Sequence, residues 1–151
     1  MVMENSNHEN LTAIVEIKKV MARYTRFVDT KQWNSFKELF DENVHMLFEG
    51  EKGERLFEFN SPEEMVNVTA PMLEGGRSVH HVHSPEIELL SEYRATGIWA
   101  MEDLINFAKR EEIPYKKLRG FGHYHVELLK TEQGWKITSL LLKGTILDIL
   151  V

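Results

Sequence analysis

Between Asn10 and about Val28 the apolar residues Leu11, Ile14, Val15, Val20, Met21, Tyr24, Phe27 and Val28 recur at three- and four-residue steps. That is the helical period, and it predicts a long first helix opened by an Asn10 cap. Asp29-Thr-Lys-Gln32 has the form of an N-cap followed three residues on by Gln. It predicts a short second helix that buries Trp33, Phe36, Leu39 and Phe40 and is broken at Asp41-Glu-Asn43. Val44–Phe48 and Arg55–Phe59 read as the strands of a hairpin around a polar turn at Gly50 to Gly53. Ser61-Pro62-Glu-Glu64 then supplies a Ser cap, Pro at the first helical position and Glu at the third, with Gly75-Gly76 as the stop, and so marks a third helix.

The second half changes period. Ser78–Leu90, Arg94–Asn106, Leu118–Thr131 and Trp135–Leu147 are long β-type stretches separated by Ser91-Glu-Tyr, a charged loop near Lys109–Lys117, and Glu132-Gln-Gly134. Helices first and strands afterwards imply an α+β domain in which helices cover one face of a curved, mostly antiparallel sheet. Residues 1–151 read as one domain, with residues 1–9 expected to be flexible. The stretch 140–151 is unusually apolar for a chain end, and is expected to continue the last strand and pack in a subunit interface or over a pocket mouth.

Composition narrows the function. With 42% hydrophobic and 28% charged residues the chain belongs to the folded, not the disordered, class. Lys plus Arg number 18 against 24 Asp plus Glu, a formal charge of −6, which argues against a nucleic-acid partner. The absence of cysteine rules out disulfides, thiolate nucleophiles, iron–sulfur clusters and cysteine-based zinc sites. The polar, acidic start lacks a signal-peptide core, and no run approaches the ~20 apolar residues of a membrane span, so a cytoplasmic protein with no membrane partner is expected. There is no dinucleotide fingerprint, phosphate loop, nucleophile elbow or His-Glu-x-x-His helix, and no cofactor is expected.

What stands out is histidine. Five of seven lie in His80-His81-Val82-His83 and His123-Tyr124-His125, both on predicted strands. Alternation puts His81 and His83 on one face and His80 with Val82 on the other; His123 and His125 likewise lie opposite Tyr124 and Val126. Two His-x-His pairs on adjacent strands could aim four imidazoles at one ion. That geometry is generic, and a solvated or interface face is the preferred reading of His81, His83, His123 and His125, with no metal expected. His80 instead shares the apolar face, where an imidazole with an ordinary pKa near ~6.5 can take and return a proton if a carboxylate fixes its tautomer. Asp29 is one such carboxylate: it closes the first helix, where a negative charge opposes the macrodipole, but it is equally a cap for the second helix. Tyr24, earlier on the same helix, reads as core with a hydroxyl able to donate to a substrate oxygen. Asp103, sharing a face with Gly97, Trp99 and Met101, reads as the inner member of Glu102-Asp103.

Tyr24-x4-Asp29-x3-Trp33, Val79-His80-His81-Val82-His83-Ser-Pro-Glu-Ile87, Ala95-Thr-Gly-Ile-Trp99-x-Met-Glu-Asp103 and Gly134-Trp135-Lys-Ile137 together resemble the SnoaL-like branch of the nuclear-transport-factor-2-like superfamily. The likeness spans nearly the whole chain and is greatest to scytalone dehydratase, bile-acid 7α-dehydratase and hexachlorocyclohexane dehydrochlorinase. The resemblance implies a cone in which three helices pack into a bent sheet around a deep apolar pocket, often as a homodimer or homotrimer. It implies a cofactor-independent lyase or isomerase acting by a His–Asp pair on a small hydrophobic cyclic or polycyclic carbonyl or hydroxy compound. His80 falls at the catalytic histidine of those enzymes and Asp29 at their first-helix aspartate. Tyr24 and Asp103 fall where the bile-acid dehydratase has a tyrosine and a further aspartate. Many relatives place an arginine nine residues after the tryptophan of the last strand; here that position is Gly144, beside Lys143, so an anionic or coenzyme-A-linked substrate is not implied. The alternatives are a noncatalytic module that only holds a hydrophobe or serves assembly, and an accessory subunit like the small subunit of ring-hydroxylating dioxygenases.

Overall fold

The computed structural model describes residues 2–151, with side chains described from residue 6 onward. Helix α1 spans Val2–Asp29; it begins at Val2 rather than Asn10, which lies inside it and caps nothing. Its buried stripe is Ile17, Val20, Met21, Tyr24 and Val28. Leu11 and Val15, expected in that stripe, are 64% and 50% exposed, and the buried face starts at Ile17.

Helix α2 (Trp33–Lys37) buries Phe36. Its N-cap is Gln32, which makes no side-chain cap bond, so the expected Asp29 capping box does not form: the Asp29 carboxylate is engaged elsewhere. Nor is it Asp41-Glu-Asn43 that ends the helix: α2 stops at Lys37, and strand β1 (Phe40–Glu49) already runs through those residues. β1 pairs antiparallel with β2 (Arg55–Phe59), as the hairpin pattern predicts. Helix α3 (Pro62–Leu73) starts where the sequence places it: Ser61 Oγ accepts from the Glu64 N–H at 3.1 Å, satisfying one of the otherwise unpaired first-turn donors.

Strands β3 (Arg77–Leu89), β4 (Arg94–Asn106), β5 (Lys117–Thr131) and β6 (Gly134–Leu150) complete a six-stranded sheet of order β2-β1-β6-β5-β4-β3. Only β1–β6 is parallel. The sheet is curved, and its long strands carry the irregularities that let them bend. In β3 the register shifts between His83 and Glu86, at Ser84 (φ 46°) and Pro85, the latter unable to donate to a neighbouring strand. β5 and β6 shift against each other between Phe121 and Gly122 and again between Glu127 and Leu128.

The concave face carries Trp99 and Met101 on β4, Tyr124, Val126 and Leu128 on β5, and Ile137 and Leu140 on β6. These pack against Tyr24 of α1, Phe36 of α2 and Phe40 at the start of β1, with Tyr24 in ring contact with Phe36, Phe40 and Tyr124. Each such side chain contributes roughly 1.5–3 kcal/mol on burial, so this layer supplies most of the force that fixes α1 across the sheet. Among the described residues no helix is long and apolar enough to cross a membrane.

Candidate active site

α1 crosses the concave face so that its last residue, Asp29, meets the start of β3. Asp29 Oδ1 accepts from Ser78 Oγ at 2.9 Å and lies 2.6 Å from His80 Nδ1, while Oδ2 accepts the His80 backbone N–H at 2.8 Å. Three donors from one strand thus hold a carboxylate that the helix end would otherwise repel. An ionised carboxylate only accepts, so it favours the tautomer with the proton on Nδ1, and in the neutral ring Nε2 then carries the lone pair. Nε2 points to the cavity, where Asp103 Oδ2 stands 3.8 Å away. The His80 and Asp29 side chains keep 11% and 20% of their exposure.

Asp103 is opposite His80 on β4 and opposite Gly120 on β5. It is the inner residue of the Glu102-Asp103 pair, 13% exposed, and its Oδ1 is buried without a hydrogen-bond partner. Burial pushes its carboxyl above the ordinary range, more strongly than the attraction of His80 and the Gly120 amide pulls it back. A Cβ at Gly120 would lie 2.5 Å from Asp103 Oδ1, so the glycine makes the room that the carboxyl occupies. Tyr24 and Tyr124 are fully packed with ring centroids 5.5 Å apart, and burial drives both phenols far above their ordinary value, so they stay O–H donors.

Tyr24, His80, Asp103 and Tyr124 converge on one wall of a cavity of about 170 Å³. Its other walls are mostly apolar, from Met65 and Leu73 of α3, Met101 of β4, Phe107 after β4, and Leu142 and Leu147 of β6, with Glu49 of β1 and Thr69 of α3 also in the lining. Asp29 lies behind His80 and does not line it. Among the described residues no Lys or Arg lines it, and at Gly144 a Cβ would lie 2.8 Å from the Glu49 carbonyl oxygen, so a larger residue there would force the backbone to shift.

All four residues singled out in the sequence therefore meet. Three contributors escaped sequence reading: Ser78, which shares the His80 face two positions earlier; Tyr124, taken as plain wall; and Gly120, in phase with Tyr124. Alternation on β3 and β5 places each of them inward, but nothing local says what they touch.

The remaining histidines separate. His81 and His83 lie on the convex face, but β4 intervenes before His123 and His125, which register with Ala100 and Ile98. The adjacent-strand arrangement of four imidazoles is thereby overturned. Instead Glu102, registered with His81, lies 3.3 Å from His81 Nδ1 and 3.6 Å from His83 Nε2. His125 faces Lys143 and His123, and desolvation together with those charges lowers its pKa.

Several solved structures share the fold. A hexachlorocyclohexane dehydrochlorinase, LinA type 2, superposes with a TM-score of 0.78 at 17% identity, over 96% of this chain and 93% of that one. A scytalone-dehydratase-like protein from Novosphingobium aromaticivorans gives 0.80 at 16% identity, over 96% and 92%. The beta subunit of a benzoate 1,2-dioxygenase from Burkholderia mallei gives 0.68 at 14% identity, over 85% and 87%. At these identities the likeness is one of fold, shared by enzymes and an oxygenase subunit alike. The SnoaL-like domain family model matches residues 9–140, a span that contains Tyr24, Asp29, His80 and Asp103, and the chain belongs to the SnoaL-like domain family.

Proposed function

We propose that this chain is a cofactor-independent lyase or isomerase that runs a dehydratase-type elimination, or a proton shift, on a small neutral hydrophobic carbonyl or hydroxy compound. The observation that carries this reading is the Asp29–His80 contact of 2.6 Å with Nε2 turned into an apolar cavity. A base whose tautomer is fixed by a buried carboxylate needs no metal or cofactor to remove an acidic C–H proton.

In the elimination, His80 Nε2 takes the proton from a carbon beside a carbonyl. The electron pair left behind forms a C=C bond as the C–O bond at the next carbon breaks, and the proton passes from Nε2 to the departing hydroxyl, which leaves as water. Asp29 balances the imidazolium in between. Tyr24, with Tyr124 beside it, donates to the carbonyl oxygen where negative charge develops; a preorganised donor of this kind is worth about 2.7–4 kcal/mol of barrier. Asp103, across from Nε2 and disposed by burial to keep a proton, supports the leaving oxygen. The absence of Lys and Arg from the lining favours a neutral substrate.

The test is turnover of a panel of neutral β-hydroxy ketones by wild type, His80→Ala and Asp29→Asn. Each substitution is expected to lower the rate by about 10²–10⁴-fold. Equal rates in all three would remove the mechanism. If wild type instead retains a ligand tightly and releases it chemically unchanged, as read by mass spectrometry, the chain is a binding module; co-purification with a large oxygenase partner would make it an accessory subunit.

A further inference from the structure

The convex face of the sheet carries a second constellation, independent of the cavity. His81 and His83 are alternate residues of β3, so both imidazoles leave the same face. β4 places Glu102 directly opposite His81. Glu102 Oε1 lies 3.3 Å from His81 Nδ1 and 3.6 Å from His83 Nε2, and all three ligand atoms lie within 4.8 Å of one another. A tetrahedral zinc ion with bonds of about 2.0–2.2 Å needs ligand atoms about 3.3–3.6 Å apart. Both nitrogen-to-oxygen separations are already in that range. The rings stand at 70° with centroids 6.1 Å apart, neither stacked on the other, which leaves both nitrogens free to converge.

We propose that His81, His83 and Glu102 form a binding site for a divalent transition metal, zinc being the ion that their donor set and spacing suit. Two imidazoles and one carboxylate are borderline N/O ligands, a set that holds zinc in preference to calcium or magnesium. The three side chains are about half exposed, at 57%, 51% and 42%, so the fourth coordination position opens to solvent and the ion has a path in. The site joins β3 to β4 by side chains, one residue along from the inner pair His80 and Asp103 on the same two strands. His123 and His125 are not part of it, being a strand further away and beside Lys143.

Zinc titrated into the tag-free full chain by calorimetry, with protein at about 10–100 µM, is expected to bind at one equivalent per chain. His81→Ala, His83→Ala and the isosteric Glu102→Gln should each weaken binding by about tenfold or more, while His123→Ala and His125→Ala leave it unchanged. Because His81, His83 and His123 are exposed and Glu102 and His125 only half-buried, circular dichroism of each variant should match wild type. Cobalt as a second probe should give a visible d–d band in wild type that is lost in the same three variants. No zinc uptake, or uptake that follows His123 and His125 instead, overturns the site.

Discussion

Asp29 sits where helix electrostatics disfavour it, and three hydrogen bonds on two oxygens are what keep it there. Its neighbour across the ring, Asp103, has the opposite arrangement: a buried carboxyl with an unpartnered oxygen. Burial raises the Asp103 carboxyl above its ordinary value of 3.8. Between that value and the raised one, the folded chain holds a proton that the unfolded chain has released. The group therefore favours the unfolded state increasingly as pH rises through this window. Asp103→Asn, neutral at every pH, is expected to melt at a higher temperature than wild type at pH 7, with the gap closing as pH falls towards 3.8 and below. Thermal melts across pH check this; a gap that widens on acidification contradicts it.

At the scale of the strand, residues act through the space that they leave. Gly120 on β5 is opposite Asp103, and its missing Cβ is the volume the carboxyl fills. Gly120→Ala is expected to turn the Asp103 carboxyl aside and lower turnover by about 10–100-fold, because small misplacements of catalytic groups cost that much. Measured kcat with an unchanged circular dichroism spectrum tests it, and undiminished kcat would detach Asp103 from the chemistry. The β3 bulge at Ser84 and Pro85 acts similarly. Ahead of it Ser78, His80 and Val82 face the core; beyond it the inward positions are Pro85, Ile87 and Leu89, so the bend changes phase without exposing the apolar set.

For the molecule as a whole, the last strand closes one side of the cavity. β6 runs to Leu150 and stays paired with β5 as far as Lys117, while Ile146 and Leu147 line the cavity and the Leu147 N–H donates to Glu51 of the β1–β2 turn at 2.5 Å. Removing residues 146–151 is expected to lower Tm and abolish uptake of an apolar fluorescent dye, both readable by thermal melting and dye titration. Full dye binding by the truncated chain would show that this strand end is no wall. The same stretch leaves Ile146, Ile149, Leu150 and Val151 at 46%, 44%, 58% and 68% exposure, an apolar patch of the kind that marks an interaction surface. A homodimer or homotrimer is the proposed cover, and sedimentation should find wild type oligomeric and the truncated chain monomeric.

By itself the sequence determined the order of elements and most inward faces. Period, caps and turn residues are local, and they act before any distant contact forms: Ser61-Pro62 starts α3, and alternation turns His80, Asp103 and Tyr124 to one side. It could not decide between two uses of Asp29, since a carboxylate at a helix junction serves a cap or a distant strand equally well until the strand arrives. Nor could it decide register. Only the packed sheet put Gly120 beside Asp103, interposed β4 between the two histidine pairs, and delivered Glu102 to His81 and His83. Register is set by long-range pairing and by bulges, and a slip of one residue would send each of those side chains to the other face.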